Sequence, residues 1–365
     1  MRRKILIAGA SGVVGSAAME RFGNDENWDV VGVSRRKPLV ATGDAVHLPV
    51  DLTDANHCTR IFGQMHDVTD VLYAALSERD DDIVSGWSDP AQMTKNMAML
   101  SNLFDPLIAA ARDFRHISII HGGKAYGGHL PGVSLPIPAR EDFPRHEGDN
   151  FYHRQEDYIV AKQAGQSWSW TIFRPYMVVG CAVGANMSTF LVLAIFAALC
   201  REAGLALPMP AGRSQIGELT DADVMADAVA WAADAPGARN EIFNITNGDV
   251  LPLHAAFPIV ADAMEMPLAP PSHFDINAEI AKLAHHWPDI VAKHGLAVPA
   301  QLEDLLGNSQ QVAGGWSADV APGDELRWGL TSTIKLRKAG FPGCADSAKM
   351  LTRYIERFKD LRILP

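Results

Sequence analysis

RRKILIAGASGVVG, residues 2–15, decides the fold. An apolar run ends at Gly9, and further glycines follow at Gly12 and Gly15. The run is shorter than the ~7–15 residues of a secretory h-region, so it reads as a first β-strand. The glycines permit a tight turn and let backbone N–H groups at a helix start approach a pyrophosphate. A spaced glycine triplet is weak evidence alone, but between a strand and a helix it predicts a dinucleotide-binding turn. A plain strand–turn–helix of small residues is the competing reading.

The pattern continues outward from that turn. Strand candidates are residues 4–9, 29–34, 46–50, 69–76, 115–121 and 168–174, with helical patterns between them, as at 88–113. This alternation predicts an α/β fold with a parallel, doubly wound sheet. Such sheets bind ligands outside the carboxyl ends of their strands. Residues 122–149, rich in Gly and Pro, read as a long functional loop. Short strands are expected at 205–209 and 241–246, helices at 221–233 and 253–265, and a mainly helical last hundred residues. The expected division is a nucleotide-binding domain over 1–180, with 221–246 returning to it, and a smaller, mainly helical substrate lobe over 181–220 and 247–365.

Bulk properties narrow the function classes. The chain has 365 residues and a formal net charge of −11, which argues against a nucleic-acid partner. Cys58, Cys181, Cys200 and Cys344 have no C-x-x-C spacing, which fits free thiols in a reducing, cytoplasmic setting. The longest apolar run, 187–200, is short of the ~20 residues that span a bilayer, so a buried helix and no membrane partner are expected. His285, His286 and His294 have no carboxylate or cysteine framework, and no metal is expected. A homodimer is compatible with the sequence, which does not fix the oligomeric state.

The second strand ends VGVSRRKP. Where NAD-preferring sites usually carry an acidic residue, this chain has Ser34, Arg35 and Arg36. Guanidinium groups match a 2′-phosphate through paired hydrogen bonds, so NADPH/NADP+ is the expected cofactor; two solvated arginines are the bland alternative. Asp51, before Leu52, is on its own as readily a helix N-cap. Arg79-Asp80-Asp81-Asp82 reads most simply as a solvated loop.

The turn's G-x-x-G-x-x-G spacing resembles that of the short-chain dehydrogenase/reductase superfamily. The likeness sharpens at HISIIHGGKAYGG (116–128), NFYHRQED (150–157), FRPYMVVG (173–180), TDADVMADAVAWAADAPGARNEIFNITNGDV (220–250) and AGFPGCADSAKMLTRYIERFKDLRILP (339–365). These stretches resemble the progesterone 5β-reductase/iridoid synthase family of extended short-chain enzymes. The likeness covers nearly the whole chain and is weakest at 127–148 and 250–330. It implies a Rossmann sheet and NADPH-dependent reduction of the C=C bond of an enone or enal, a small hydrophobic carbonyl compound such as a steroid or terpenoid. It implies Tyr152 and Lys124 as the catalytic pair. Cofactor contacts would come from Gly9, Ser11, Gly12, Val13, Val14, Ser34, Arg35, Arg36, Asp51, Leu52, Ala74, Ala75, Tyr152, Pro175 and Val178. His129, His153, Met177, Phe190 and Phe341 would line the substrate pocket, although ordinary core packing accounts for such residues equally well. Two departures stand out: His153 replaces the family's second tyrosine, and His121 replaces its threonine.

The stretch also holds a rival, the Y-x-x-x-K string Tyr158–Lys162. A helix starting at Asn150, a good N-cap, and stopping at Gly165 places Tyr152 at the carboxyl edge of the sheet. Tyr158 stands about 9 Å further along and ~240° around, so the two do not face one cofactor. Tyr158 lies seven residues from Phe151, a core-like spacing. Gly122 and Gly123 occupy the place of the usual Ser/Thr partner, and Lys124 follows them. If the register is off by one, His153 takes the catalytic place. Carbonyl reduction or alcohol oxidation, a non-catalytic NADPH sensor and a nucleotide-sugar epimerase are the rival functions; the last would want a Ser/Thr and an acidic NAD-type residue.

Overall fold

The computed structural model describes residues 2–39, 44–130, 133, 137–319 and 329–365. Parts of the expected 122–149 loop and of the C-terminal lobe lie outside these. The elements begin β1 Arg3–Ala8, α1 Val13–Gly23, β2 Trp28–Ser34, β3 Val46–Pro49, α2 Ala55–Phe62, β4 Asp70–Tyr73, α3 Ile83–Gly86, α4 Pro90–Ala110, β5 His116–Ile120, α5 Phe151–Gln163 and β6 Ser169–Pro175. They continue β7 Val178–Val179, α6 Thr189–Glu202, β8 Leu207–Pro210, β9 Ile216–Gly217, β10 Thr220–Asp221, α7 Ala222–Ala232, β11 Glu241–Ile245 and α8 Ala256–Ala263.

Among the described residues, seven strands pair in the order β11-β6-β5-β4-β1-β2-β3. Every pairing in that sheet is parallel. Helices cover both faces, α1 and α7 on one and α2, α4 and α5 on the other, each over its own apolar core. The expected doubly wound α/β fold is the fold found. Central strands are buried on both faces because both are covered; β6 is buried along its whole length, whereas edge strand β3 is exposed at both ends and only partly buried between them.

Polar side chains set where helices begin. Asp54, Asp89, Asn150 and Asp221 accept a hydrogen bond from a first-turn N–H of α2, α4, α5 and α7. Asp51 is therefore not an N-cap: its carboxylate accepts from the Thr53 N–H and hydroxyl in a local turn. β4 ends at Tyr73, short of the expected 76. Ala74 turns against Gly9, and the Ser77 backbone is captured by Gln92 and Asn96 of α4.

A second core is built around α6. Phe190–Cys200 are buried there against α8 and the C-terminal helix Ser347–Asp360. An all-apolar helix needs cover on every side, and this packing supplies it. No helix among the described residues is long and apolar enough to cross a membrane.

Candidate active site

Parallel register brings the strand ends together: Ala8 pairs with Tyr73, Tyr73 with Ile119 and Ile120 with Phe173. The residues just after them therefore form one carboxyl edge.

Gly9 has a φ of 84°, and a Cβ there would fall 2.6 Å from the Ala74 carbonyl oxygen. A Cβ on Gly15 would fall 2.0 Å from the Gly9 carbonyl oxygen. Only glycine lets the turn lie on Ala74–Ala75 and α1 lie on the turn. Gly12 caps α1 without a side-chain bond, so the helix meets the turn with its first N–H groups uncovered. Val13 packs against Gly180, just beyond Val178. Ser11 lies half-buried within the turn.

Arg35 and Arg36 follow the end of β2, with the Arg36 guanidinium packed against Gly184. Neither forms an ion pair among the described residues, and burial followed by Arg35 pushes the Arg36 guanidinium below its usual pKa. The Ser34 hydroxyl is already engaged, donating to the Arg36 carbonyl at 2.6 Å and lying 3.0 Å from His47 Nε2. Asp51 lies within the field of Arg35; the Thr53 N–H, then Arg35, hold its carboxyl below the usual range. Leu52 is buried beside it. The uncapped helix start and the unneutralised arginines fit a phosphorylated dinucleotide.

The reacting corner lies where β5, β6 and α5 meet. Tyr152, in the first turn of α5, is 5 % exposed and stacks on His121 at 4.4 Å. A Cβ on Gly122 would stand 3.7 Å from both the Tyr152 hydroxyl and the Pro175 carbonyl oxygen. The hydroxyl thus sits between the ends of β5 and β6, with no hydrogen-bond partner among the described residues. Burial, then Glu78, push its pKa up, so it is a neutral phenol.

Lys124 lies on the 3₁₀ turn Gly123–Tyr126 after β5. Its ammonium donates to Glu78 Oε1 at 3.2 Å and sits 4.3 Å from the Trp87 ring centroid. The Trp87 indole N–H donates to the same Glu78 oxygen at 3.2 Å. Burial lowers the Lys124 pKa, and Glu78 opposes that. Asn150 joins the two elements: its Oδ1 accepts from the Tyr152 N–H and its Nδ2 donates to the Lys124 carbonyl at 2.8 Å. His153 turns aside, its Nε2 lying 2.9 Å from the Ala125 carbonyl oxygen. His129 packs edge-on to Trp87 at 6.0 Å, with its pKa lowered to about 4, first by burial and then by Lys124. Met177, with a φ of 26°, stands in the segment between β6 and β7.

Two expected pocket residues are not brought here. Phe190 is enclosed by Trp316 and Phe358 in the second core. Phe341 packs 5.5 Å from Trp231 and lines a depression of about 850 Å³ with Arg3, Trp28 and Asp234, at the amino edge of the sheet. Its segment crosses to that edge beside the end of α7. Conversely, sequence reasoning passed over Glu78 and Trp87. The available signal was a lone acid just past a strand end, beside a run read as solvated. Arg79 and Asp81 of that run do pair at the surface, while Asp82 caps α3 and Asp80 meets Asn308 and Gln311. Among the described residues no cluster of three His, Cys, Asp or Glu could hold a metal.

A parallel α/β sheet with an uncapped helix start at its glycine turn is the architecture of dinucleotide-binding enzymes. The chain belongs to the NAD dependent epimerase/dehydratase family, whose model matches residues 5–246. Among curated proteins it is 27 % identical to the (S)-8-oxocitronellyl enol synthase of Antirrhinum majus, over 99 % of this chain and 92 % of that one. It is 28 % identical to the 3-oxo-Delta(4,5)-steroid 5-beta-reductase of Arabidopsis thaliana, over the same shares. The likeness to progesterone 5β-reductase and iridoid synthase therefore stands. Among solved structures, a UDP-glucose 4-epimerase of Thermotoga maritima superposes with a TM-score of 0.65 at 15 % identity, covering 98 % of this chain and 99 % of that one. The Thermus thermophilus UDP-glucose 4-epimerase complexed with NAD gives 0.63 at 17 %, covering 98 % and 99 %. At such identity these two share the fold alone.

Proposed function

We propose that the protein reduces the C=C bond of an α,β-unsaturated carbonyl compound with NADPH. The observation that carries this reading is the Tyr152 hydroxyl, neutral and unpartnered, set beside Gly122, with Lys124 two residues on. The cofactor would lie along the Gly9–Gly15 turn, with Arg35 and Arg36 toward its 2′-phosphate and Pro175–Val178 toward its carboxamide. When bound it supplies the hydride that adds to the substrate β-carbon. Tyr152 donates its O–H to the carbonyl oxygen as that atom gains enolate charge, and Lys124 stabilises the same charge. Both interactions strengthen only as charge develops, which is where they lower the barrier. The enolate α-carbon then takes a proton from water, giving the saturated carbonyl. Lysine in place of a Ser/Thr, and arginines in place of an acidic residue, also favour this reading over sugar epimerisation.

The test is NADPH oxidation against a cyclic enone, progesterone and an open-chain unsaturated dialdehyde, with product identification. Saturated carbonyl products are expected. Unsaturated alcohols would overturn the reading, and tight NADPH binding without turnover would favour a sensor. Replacing Arg35 and Arg36 by alanine should raise the KM for NADPH roughly 10–100-fold and leave that for NADH nearly unchanged, the effect of losing charge-assisted phosphate contacts.

A further inference from the structure

Glu78 is more than nine-tenths buried, yet it is a carboxylate. Burying one is costly unless charge and hydrogen bonds compensate. Both compensations come from residues of the reacting corner, the Lys124 ammonium and the Trp87 indole N–H, which converge on Oε1. The loop bearing Glu78 is itself fixed, because Gln92 and Asn96 hold the adjacent Ser77 backbone. Lys124 is therefore clamped on two sides: one N–H on Glu78 and one face on the Trp87 ring. An ammonium has three donors, so at least one remains for a substrate oxygen.

We propose that Glu78, braced by Trp87, is the positioning residue of this site: it holds the Lys124 ammonium in place and in its charged form, so that the lysine meets the developing enolate as a fixed cation. The catalytic meaning rests on the proposed role of Lys124 and Tyr152, but the charge-setting role stands apart from it. The groups facing Lys124 are few. Glu78 comes from the loop after β4, Trp87 from the end of α3, and His129 from the loop of Lys124 itself. On the α5 side stand Tyr152 and, further off, His153 against the Ala125 carbonyl and His146 against Asn150 Nδ2. Burial disfavours the charge on both His129 and His153, so neither competes as a cation near neutrality. Glu78 is thus the one carboxylate among the described residues that pairs with this ammonium. It also adds to the burial that keeps Tyr152 protonated, so a single carboxylate favours the acid form at both positions.

The measurement is competitive trace acetylation of lysines in the full-length protein, read by peptide mass spectrometry from neutral to basic pH. The exposed Lys349 serves as internal reference. Only the neutral amine reacts, so E78Q should raise Lys124 labelling about tenfold at a given pH, one unit of pKa. W87F keeps an aromatic ring but removes the N–H, and should raise it less, roughly threefold. If E78Q fails to fold, W87F carries the test. Unchanged Lys124 labelling in the folded variants overturns the proposal, whatever the protein reduces. Increased labelling in a protein that turns over no enone would support the charge-setting role and remove the reaction reading. Where turnover is seen, E78Q should move the alkaline limb of kcat to lower pH, with the KM for NADPH unchanged.

Discussion

The two edges of the sheet treat polar groups in opposite ways. At the amino edge they are matched. Arg3 forms a two-pronged pair with Asp70, reaches Asp234 at 2.5 Å and lies over the Trp28 ring. His116 holds a serine hydroxyl at each nitrogen, Ser169 at 2.9 Å and Ser118 at 3.2 Å. At the carboxyl edge they are left open. Tyr73 Oη, both nitrogens of His121, Nε of Arg174 and the Thr246 hydroxyl are buried at or just past the ends of β4, β5, β6 and β11, without partners among the described residues. Buried polar groups are normally satisfied, and a concentration of exceptions marks where partners arrive from outside. The amino edge holds the fold; the carboxyl edge waits for ligand.

Helix α5 carries the contrast in a pair of tyrosines. Tyr152 lies at the open edge with a free hydroxyl. Tyr158 is half-buried on the flank, where its hydroxyl donates to Asp105 at 2.7 Å and Lys162 pairs with that same carboxylate. The Y-x-x-x-K string is therefore an anchor between α5 and α4. Tyr152→Phe should lower kcat by roughly 10²–10³, the cost of removing one donor to a developing oxyanion, with little change in stability. Tyr158→Phe should do the reverse, leaving kcat within about twofold and costing about 1 kcal/mol in urea unfolding. Loss of turnover in a folded Tyr158→Phe protein would break the distinction.

The matched edge offers the complementary experiment. Removing one member of a buried pair strands the other, at a typical cost of about 3–5 kcal/mol. Asp70→Asn keeps the shape but leaves Arg3 only the exposed Asp234, so roughly 1.5–3 kcal/mol of stability should disappear in urea unfolding. Turnover per folded molecule should not change. A fall in kcat without a fall in stability would mean that the edges are coupled and that their division of labour is wrong.

The carboxyl edge was the more legible in sequence, because strand ends are where ligands bind and apolar runs reveal strand ends. Gly9–Gly15, Arg35, Arg36, Lys124 and Tyr152 all follow such a run or open a helix beside one. Glu78 and Trp87 were not legible, since their role exists only once α4 captures the Ser77 backbone and folds the loop back over Lys124. No local pattern encodes a contact between residues 46 apart. Phe341 was assigned to the wrong end because its place depends on which edge the C-terminal segment crosses. The Arg3–Asp70 pair was invisible for a related reason: each residue merely begins a strand, and parallel register makes them neighbours.

The remaining prediction concerns pH and uses one histidine from each edge. Burial lowers the His116 pKa to about 3, and Arg3 and Arg239 add to that. Burial also holds His121 neutral, well below its ordinary value. A base whose folded pKa is depressed leaves the unfolded chain to bind the extra proton. Stability is then complete above the unfolded value of about 6.5 and falls as pH drops below it. At about pH 5 His116 should cost roughly 2 kcal/mol relative to neutral pH, and His121 should add a penalty of the same sign. His116→Gln should remove that acid penalty but lower stability at neutral pH, since the two serine contacts are disturbed. His121→Phe should remove its own acid penalty at no comparable neutral cost, since neither ring nitrogen has a partner to lose and the stack on Tyr152 survives. Urea unfolding at the two pH values separates the outcomes. Equal neutral-pH losses in both variants would mean that the His121 nitrogens are satisfied in solution and that the carboxyl edge is not open at β5.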